Sequence, residues 1–242
     1  MSPDGSAPVA LAEQVARARR LLAAVEKNYS PAAFSSSFGA EDMVVLDLIA
    51  RDGLAIEIFT LDTGRIPRET HELIALVRKQ YGLAIKAYAP WPESVDAYVE
   101  QNGRDGFYDG VEQRRACCAL RKVEPLGRAL ARKRGWVTGL RREQSDTRSS
   151  LAETSHDAAH GVWKFSPLAA WSDEHVWEYL RANRVPWNAL HDRGYPSIGC
   201  EPCTRAVRPG EHRRAGRWWW EQEQARKECG LHAIPVKVVA AA

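Results

Sequence analysis

No apolar stretch in the 242-residue chain approaches the ~20 residues a membrane helix needs, which excludes a helical membrane protein. The closing segment Val236–Ala242 is too short to span and holds Lys237. The first twenty residues carry Asp4, Glu13 and three arginines without a continuous apolar segment, so the expectation is no secretory signal and a cytoplasmic location. Cysteine is scarce, at five residues, which excludes a disulfide-built scaffold. Charge of one sign is nearly absent in surplus: the net charge is +3, too small by itself to imply a nucleic-acid partner. With 45% hydrophobic and 27% charged residues, the remaining class is an ordinary globular domain.

Hydrophobic periodicity alternates between helix and strand. Ala10–Lys27 reads as a helix, with Leu11, Val15, Ala18, Leu22 and Val25 near one stripe. A β-like segment at Ala32–Phe38 precedes a helical pattern over Glu41–Arg51, and a strand at Ala55–Leu61 ends in Asp62-Thr63-Gly64. Pro67 suits the start of a helix that runs to Gly82. A strand over Ala84–Ala89 meets Pro90 and Pro92, read as breakers. Trp136–Leu140 and Val162–Leu168 look like further strands, and Ser172 is placed to cap a helix that Pro186 stops. The alternation predicts an α/β fold, a mainly parallel central sheet flanked by helices. Ligands bind such sheets beyond the carboxyl ends of their strands. The turns to watch are therefore Ser35–Asp42, Leu61–Arg65 and Thr138–Ser145. Beyond Pro186 regular patterning fades, and that tail is expected to dock on the ligand edge or to act as a lid. Domain organisation is read as a body, residues 1–209, followed by a C-terminal arm, 210–242.

The most specific pattern is sulfur. Cys117 and Cys118 are adjacent, and Cys200-Glu201-Pro202-Cys203 adds a CxxC. Four thiolates in two groups fit a tetrahedral zinc or an iron–sulfur cluster. Neighbouring side chains diverge by about 100° on a helix, so one small ion is hard to reach from both vicinal cysteines, whereas a cubane offers each sulfur its own iron. Lys122 follows Cys118 by four residues, one helical turn if the stretch is helical. Ser35-Ser36-Ser37 opens a small-residue turn before a helix, a weak anion-cradle signal that matches neither a P-loop nor GxGxxG. Arg141-Arg142 follows a strand, and Arg205, Arg208, Arg213, Arg214 and Arg217 crowd the segment after the CxxC. Guanidinium forks bind phosphate and sulfate bidentately. Trp218-Trp219-Trp220 is more often an anchor than a base-stacking platform. The fifth cysteine, Cys229, stands apart in Glu228-Cys229-Gly230-Leu231-His232, where a thiolate would need cations from elsewhere.

Together these motifs resemble the assimilatory adenylylsulfate (APS) reductases, the iron–sulfur branch of the phosphoadenylylsulfate (PAPS) reductase family. The matching segments are Ser36–Asp42, Leu61–Arg65, Cys117-Cys118 with Lys122, Arg141–Ser145, Gly194–Cys203, Gly216–Glu221 and Glu228–His232. The resemblance implies an adenine nucleotide alpha-hydrolase-like fold with a C-terminal catalytic tail, and reduction of APS to sulfite and AMP in sulfate assimilation. It implies a [4Fe-4S] cluster on Cys117, Cys118, Cys200 and Cys203, with Cys229 as the nucleophile that carries an S-sulfo intermediate and thioredoxin as reductant. Phosphosulfate contacts fall on Lys122, Arg214, Arg217 and His232, and adenosine contacts around Ser35, Ser36, Ser37, Leu61 and Thr63. Arg141 or Arg142 would hold the α-phosphate, and the resemblance does not choose between them. A PAPS reductase is the rival within the family; a zinc-stabilised RNA-binding module is the rival from another class. Neither nucleic acid nor membrane is expected as a partner, and homo-oligomerisation stays open.

Overall fold

The computed structural model describes residues 10–221. α1 (Leu11–Tyr29) leads into β1 (Ala32–Ser35), α2 (Ala40–Arg51), β2 (Glu57–Leu61), α3 (Arg68–Tyr81) and β3 (Ile85–Tyr88). α4 (Pro92–Asn102), α5 (Val111–Cys118) and α6 (Glu124–Leu130) then cross to β4 (Gly135–Val137), β5 (Thr154–Asp157), β6 (Val162–Phe165) and α7 (Asp173–Ala182). The strands form one sheet in the order β3-β2-β1-β4-β6-β5. Every pairing is parallel except β5 with β6.

The two-residue period of the strands explains why helices cover both faces. Phe34, Ile58 and Val137 belong to the core with α1, α2, α3 and α7. Their strand neighbours Ala33, Phe59 and Trp136 pack instead with Leu126, Ala129 and Leu130 of α6. α2 is buried nearly all round, and even its Asp47 is satisfied inside, accepting from the hydroxyls of Tyr81 and Tyr179 at 2.8 and 2.7 Å. β1 sends its chain to β2 on one side, while β4 pairs on the other. That reversal opens a crevice between the carboxyl ends of β1 and β4, where such sheets bind ligands.

Three local readings differ from this architecture. Pro92 does not break the chain but opens α4 at its first turn, where a missing N–H costs nothing. β5 is a polar antiparallel edge strand, Thr-Ser-His-Asp, largely exposed and so without an apolar alternation to betray it. The strand patterns also run past the paired residues: β1 ends at Ser35 and β6 at Phe165. Among the described residues no helix is long and apolar enough to cross a membrane.

Of the tail beyond Pro186, the described residues 196–200, 213, 214, 217 and 218 line the ligand edge. Residues 210–221, assigned to the arm by sequence, are joined to the CxxC segment: Thr204 bridges Arg217, and the Arg205 and Trp218 N–H groups donate to Gly216 and Cys203 carbonyls, both at 3.0 Å. Cys229 and His232 lie outside the described residues.

Candidate active site

A cavity of about 220 Å³ sits at the β1–β4 crevice. Ser35, Ser36, Ser37, Leu61 and Thr63 line it, together with Lys122, Arg214 and Arg217. These are eight of the sequence-designated contacts, brought together from four parts of the chain.

The serine turn is shaped by its own hydrogen bonds. The Trp136 indole donates to Ser35 Oγ at 2.8 Å, and Ser36 Oγ accepts from the Phe38 N–H at 3.2 Å. Phe38 takes a left-handed φ of 59° and is fully buried, a strained geometry that the surrounding core holds. Asp42, in the first turn of α2, pins the loop: its Oδ2 accepts from the Ser37 N–H at 2.6 Å and Oγ at 2.7 Å. Gly139 permits this, because a Cβ there would collide with Asp42.

Burial pushes the Asp42 carboxyl up to about 6, against the lowering effect of the Ser37 donors. A carboxyl raised in the folded state stabilises below its unfolded pKa, and that contribution is lost as pH rises through the folded value. Acidification from about pH 7 to about pH 5 should therefore stabilise the parent relative to Asp42→Asn by roughly 1 kcal/mol, read as a higher thermal midpoint. Parallel midpoint curves for the two proteins would contradict this.

A second, smaller cavity adjoins the first and is bordered by Cys117, Cys118, Cys200 and Cys203. All four are free and buried. Cys117-Cys118 ends α5, and a single tight turn, Glu201–Cys203, is preceded by Cys200 and ends in Cys203. Burial raises the Cys117 thiol and, with Cys200 beside it, pushes Cys203 up to about 12. Cys200 goes down despite its burial, drawn by Lys122, the Thr63 hydroxyl and Arg217. Thr63 Oγ1 lies 3.2 Å from Cys200 Sγ, while the Thr63 carbonyl accepts from Arg121 at 2.7 Å. The turn after β2 thus touches both cavities. Among the described residues, no three His, Cys, Asp or Glu side chains gather around one point where a single metal ion could sit.

Lys122 sits where α5 passes into α6 through a π-helical turn, Ala119–Val123. The sequence counted an ordinary turn from Cys118; the wider one inserts a residue into the spacing, as such bulges do at functional positions. Lys122, Cys200 and Trp218 line both cavities.

The arginines divide sharply. Arg213, Arg214 and Arg217 line the larger cavity, whereas Arg205 is engaged with Glu211 at 2.8 and 2.9 Å. Neither candidate for the α-phosphate is there. Arg141 is fully buried and bonded to Glu41, Asp173 and the Trp171 carbonyl, so its donors are consumed by the scaffold. Arg142 is turned to the Leu151 carbonyl. Arg148, three residues beyond the Ser145 that closed the motif, lines the cavity instead. Sequence reasoning missed it, along with His191, whose imidazole burial holds below its usual pKa. An arginine six residues past the second of a pair was a usable signal for Arg148; His191 offered none.

A family model described as the phosphoadenosine phosphosulfate reductase domain matches residues 31–206. An adenosine 5'-phosphosulfate reductase of Allochromatium vinosum is 55% identical over 217 residues, covering 90% of this chain and 84% of that protein. One of Burkholderia cepacia is 51% identical over 231 residues, covering 96% and 92%. Among solved structures, a phosphoadenylyl-sulfate reductase from Candida auris in a phosphate complex superposes with a TM-score of 0.68 at 24% identity, covering 84% of this chain and all of that one. Yeast FAD synthetase shares the fold at a TM-score of 0.56 and 14% identity.

Proposed function

The chain belongs to the phosphoadenosine phosphosulfate reductase domain family, and from that membership we propose that it reduces adenosine 5'-phosphosulfate to sulfite and AMP with thioredoxin as the electron donor, in the cytoplasm and in the service of sulfate assimilation. The observation that carries this reading is the shared wall: a cation-rich nucleotide crevice and a four-thiol cavity meet at Lys122, Cys200 and Trp218. The relatives named as adenosine 5'-phosphosulfate reductases, about half identical over most of their length, favour APS over PAPS.

In this reading Ser35–Ser37, Leu61 and Thr63 seat the adenosine end, and Lys122, Arg214 and Arg217 face the phosphosulfate, joined by His232. Attack by a thiolate on an already anionic sulfonyl group is opposed by charge, which fixed cations relieve without reorganising. The Cys229 thiolate forms an S–S bond to the sulfonyl sulfur while the S–O bond to phosphate breaks, and AMP leaves with that electron pair. A dithiol protein of the thioredoxin class then attacks Cys229 Sγ and displaces sulfite. Its second thiolate displaces Cys229, so the two electrons that reduce sulfate to sulfite come from that dithiol.

The all-sulfur donor set fits an iron–sulfur cluster on Cys117, Cys118, Cys200 and Cys203. Both members of the vicinal pair border the one cavity despite their divergence along the helix. When bound, a [4Fe-4S] cluster there supplies a fixed charge distribution beside Lys122.

The direct test supplies the purified chain with APS or PAPS and reduced thioredoxin. Sulfite and AMP should form stoichiometrically from APS, with PAPS turned over far more slowly. Equal or preferential use of PAPS would overturn the substrate assignment. A colourless preparation without iron or sulfide, but tight RNA binding that weakens with salt, would instead favour the zinc module.

A further inference from the structure

We propose that Arg114 is a positioning residue for the sulfonate end of the cavity: stacked on Trp218 and neutralised by Glu221, it holds Trp218 in a left-handed backbone conformation and so aims the adjacent Arg217. The proposal rests on the reductase reading and deepens it, since Arg217 is there a phosphosulfate contact.

Arg114 lies in a basic stretch with Arg115 and Arg121. In the structure it is 1% exposed. Its Nε and Nη2 donate to the two carboxylate oxygens of Glu221 at 2.8 and 3.1 Å. A buried guanidinium demands such a countercharge, and this one comes from 107 residues further along the chain. The pair therefore fastens the segment after Arg217 to α5, the helix that carries Cys117 and Cys118.

Between these anchors lies Trp218. Arg114 lies over its ring, 4.7 Å from the centroid, and Arg217 lies over the same ring at 4.8 Å. Glu221 offsets one of the two like charges on that indole. The Trp218 φ is 44°, a region that bulky residues avoid unless the surroundings enforce it. Its N–H donates to the Cys203 carbonyl at 3.0 Å, which holds the backbone from the thiol side. Arg114 supplies the hold on the ring.

Arg217 has little freedom to compensate. Its Nη1 donates to Ser197 Oγ at 3.3 Å and the Ile198 carbonyl at 3.1 Å. A Cβ at Gly199 would collide with its guanidinium, so the seat is tight. If the neighbouring backbone relaxes from the left-handed conformation, the guanidinium must leave that seat. A loss at Arg114 therefore reaches the sulfonate end through Trp218 and Arg217, without touching the adenosine end.

The test uses the full chain carrying Cys229→Ser, so that binding is read without reaction. Calorimetry compares APS and AMP in that chain and in its Arg114→Lys and Glu221→Gln derivatives, with folding checked by circular dichroism. Each derivative should weaken APS roughly tenfold, because lysine cannot make the two-pronged bond to Glu221 and glutamine leaves Arg114 without its countercharge, and leave AMP within about twofold because AMP lacks the sulfonate. Glu221→Asp, which keeps the charge one methylene short, supplies a milder step in the same direction should Glu221→Gln not fold. Unchanged APS affinity in a folded derivative, or equal weakening of APS and AMP, overturns the proposal alone. Failure of the chain with Arg114 and Glu221 intact to bind APS overturns the reductase reading and this proposal with it.

Discussion

Cys229→Ser should abolish sulfite formation, by at least about 10⁴-fold, while leaving APS bound with near-parental affinity. The expectation follows from the chemistry of sulfur rather than from the loss of a contact. A serine hydroxyl ionises far less readily than a thiol, and its oxygen is a poor nucleophile towards an anionic sulfonyl centre. Even if an O-sulfo ester formed, a dithiol could not release sulfite from it, because the exchange requires an S–S bond to attack. The cations of the cavity, Lys122, Arg214 and Arg217, would remain in place and keep the nucleotide bound. Mass spectrometry of the parent chain mixed with APS and no reductant should find an SO3 increment on the peptide holding Cys229. Turnover by the serine variant, or an increment on another residue, would remove Cys229 from the reaction.

Much of the fold was legible because its strands are apolar on both faces and its helices carry clear stripes. Ala32–Ser35 and Glu57–Leu61 announce buried parallel strands through their composition, and Ser172 announces α7 through its capping oxygen, which accepts from the His175 N–H at 3.2 Å. What escaped notice depends on tertiary partners. β5 owes its pairing to β6 and to nothing in its own polar residues. Pro92 is a breaker or an opener depending on where the preceding strand stops.

The site divides in the same way. Four cysteines and the serine turn are local motifs, so their convergence on two adjoining cavities could be anticipated. The fates of individual arginines could not. Arg205 and Arg217 lie in one basic stretch, yet one meets Glu211 and the other the cavity. Only the arrangement of carboxylates decides that, and Glu41, Asp173, Glu211 and Glu221 come from scattered positions. Arg114 and Arg141, the most deeply buried of the arginines, each take a carboxylate partner from a hundred or more residues away.

Arg141→Met should destabilise the chain by about 3–5 kcal/mol with no nucleotide present, which separates a scaffold residue from a substrate ligand. Arg141 donates to Glu41 Oε1 at 2.8 Å, to the Trp171 carbonyl at 3.0 Å and to Asp173. It thereby ties the start of α2 to the start of α7, and Arg213 extends the network through Asp173 towards the cavity. Removing the guanidinium strands the nearly buried Glu41 carboxylate. Burial alone pushes Glu41 up, and it is Arg141 that holds it below the usual carboxylate range. In the parent, that depressed pKa gives stability present above about pH 4 and lost as pH falls through the folded value. In Arg141→Met the sign reverses: Glu41 becomes a raised carboxyl, so acidification from about pH 7 towards about pH 5 should recover part of the lost stability. Thermal midpoints across that interval measure both effects. A ligand-type arginine would behave oppositely, since removing an unpaired cation from a positive cleft relieves repulsion and leaves the apo-protein as stable as before or more so. An unchanged midpoint together with a raised KM for APS would return Arg141 to the phosphate.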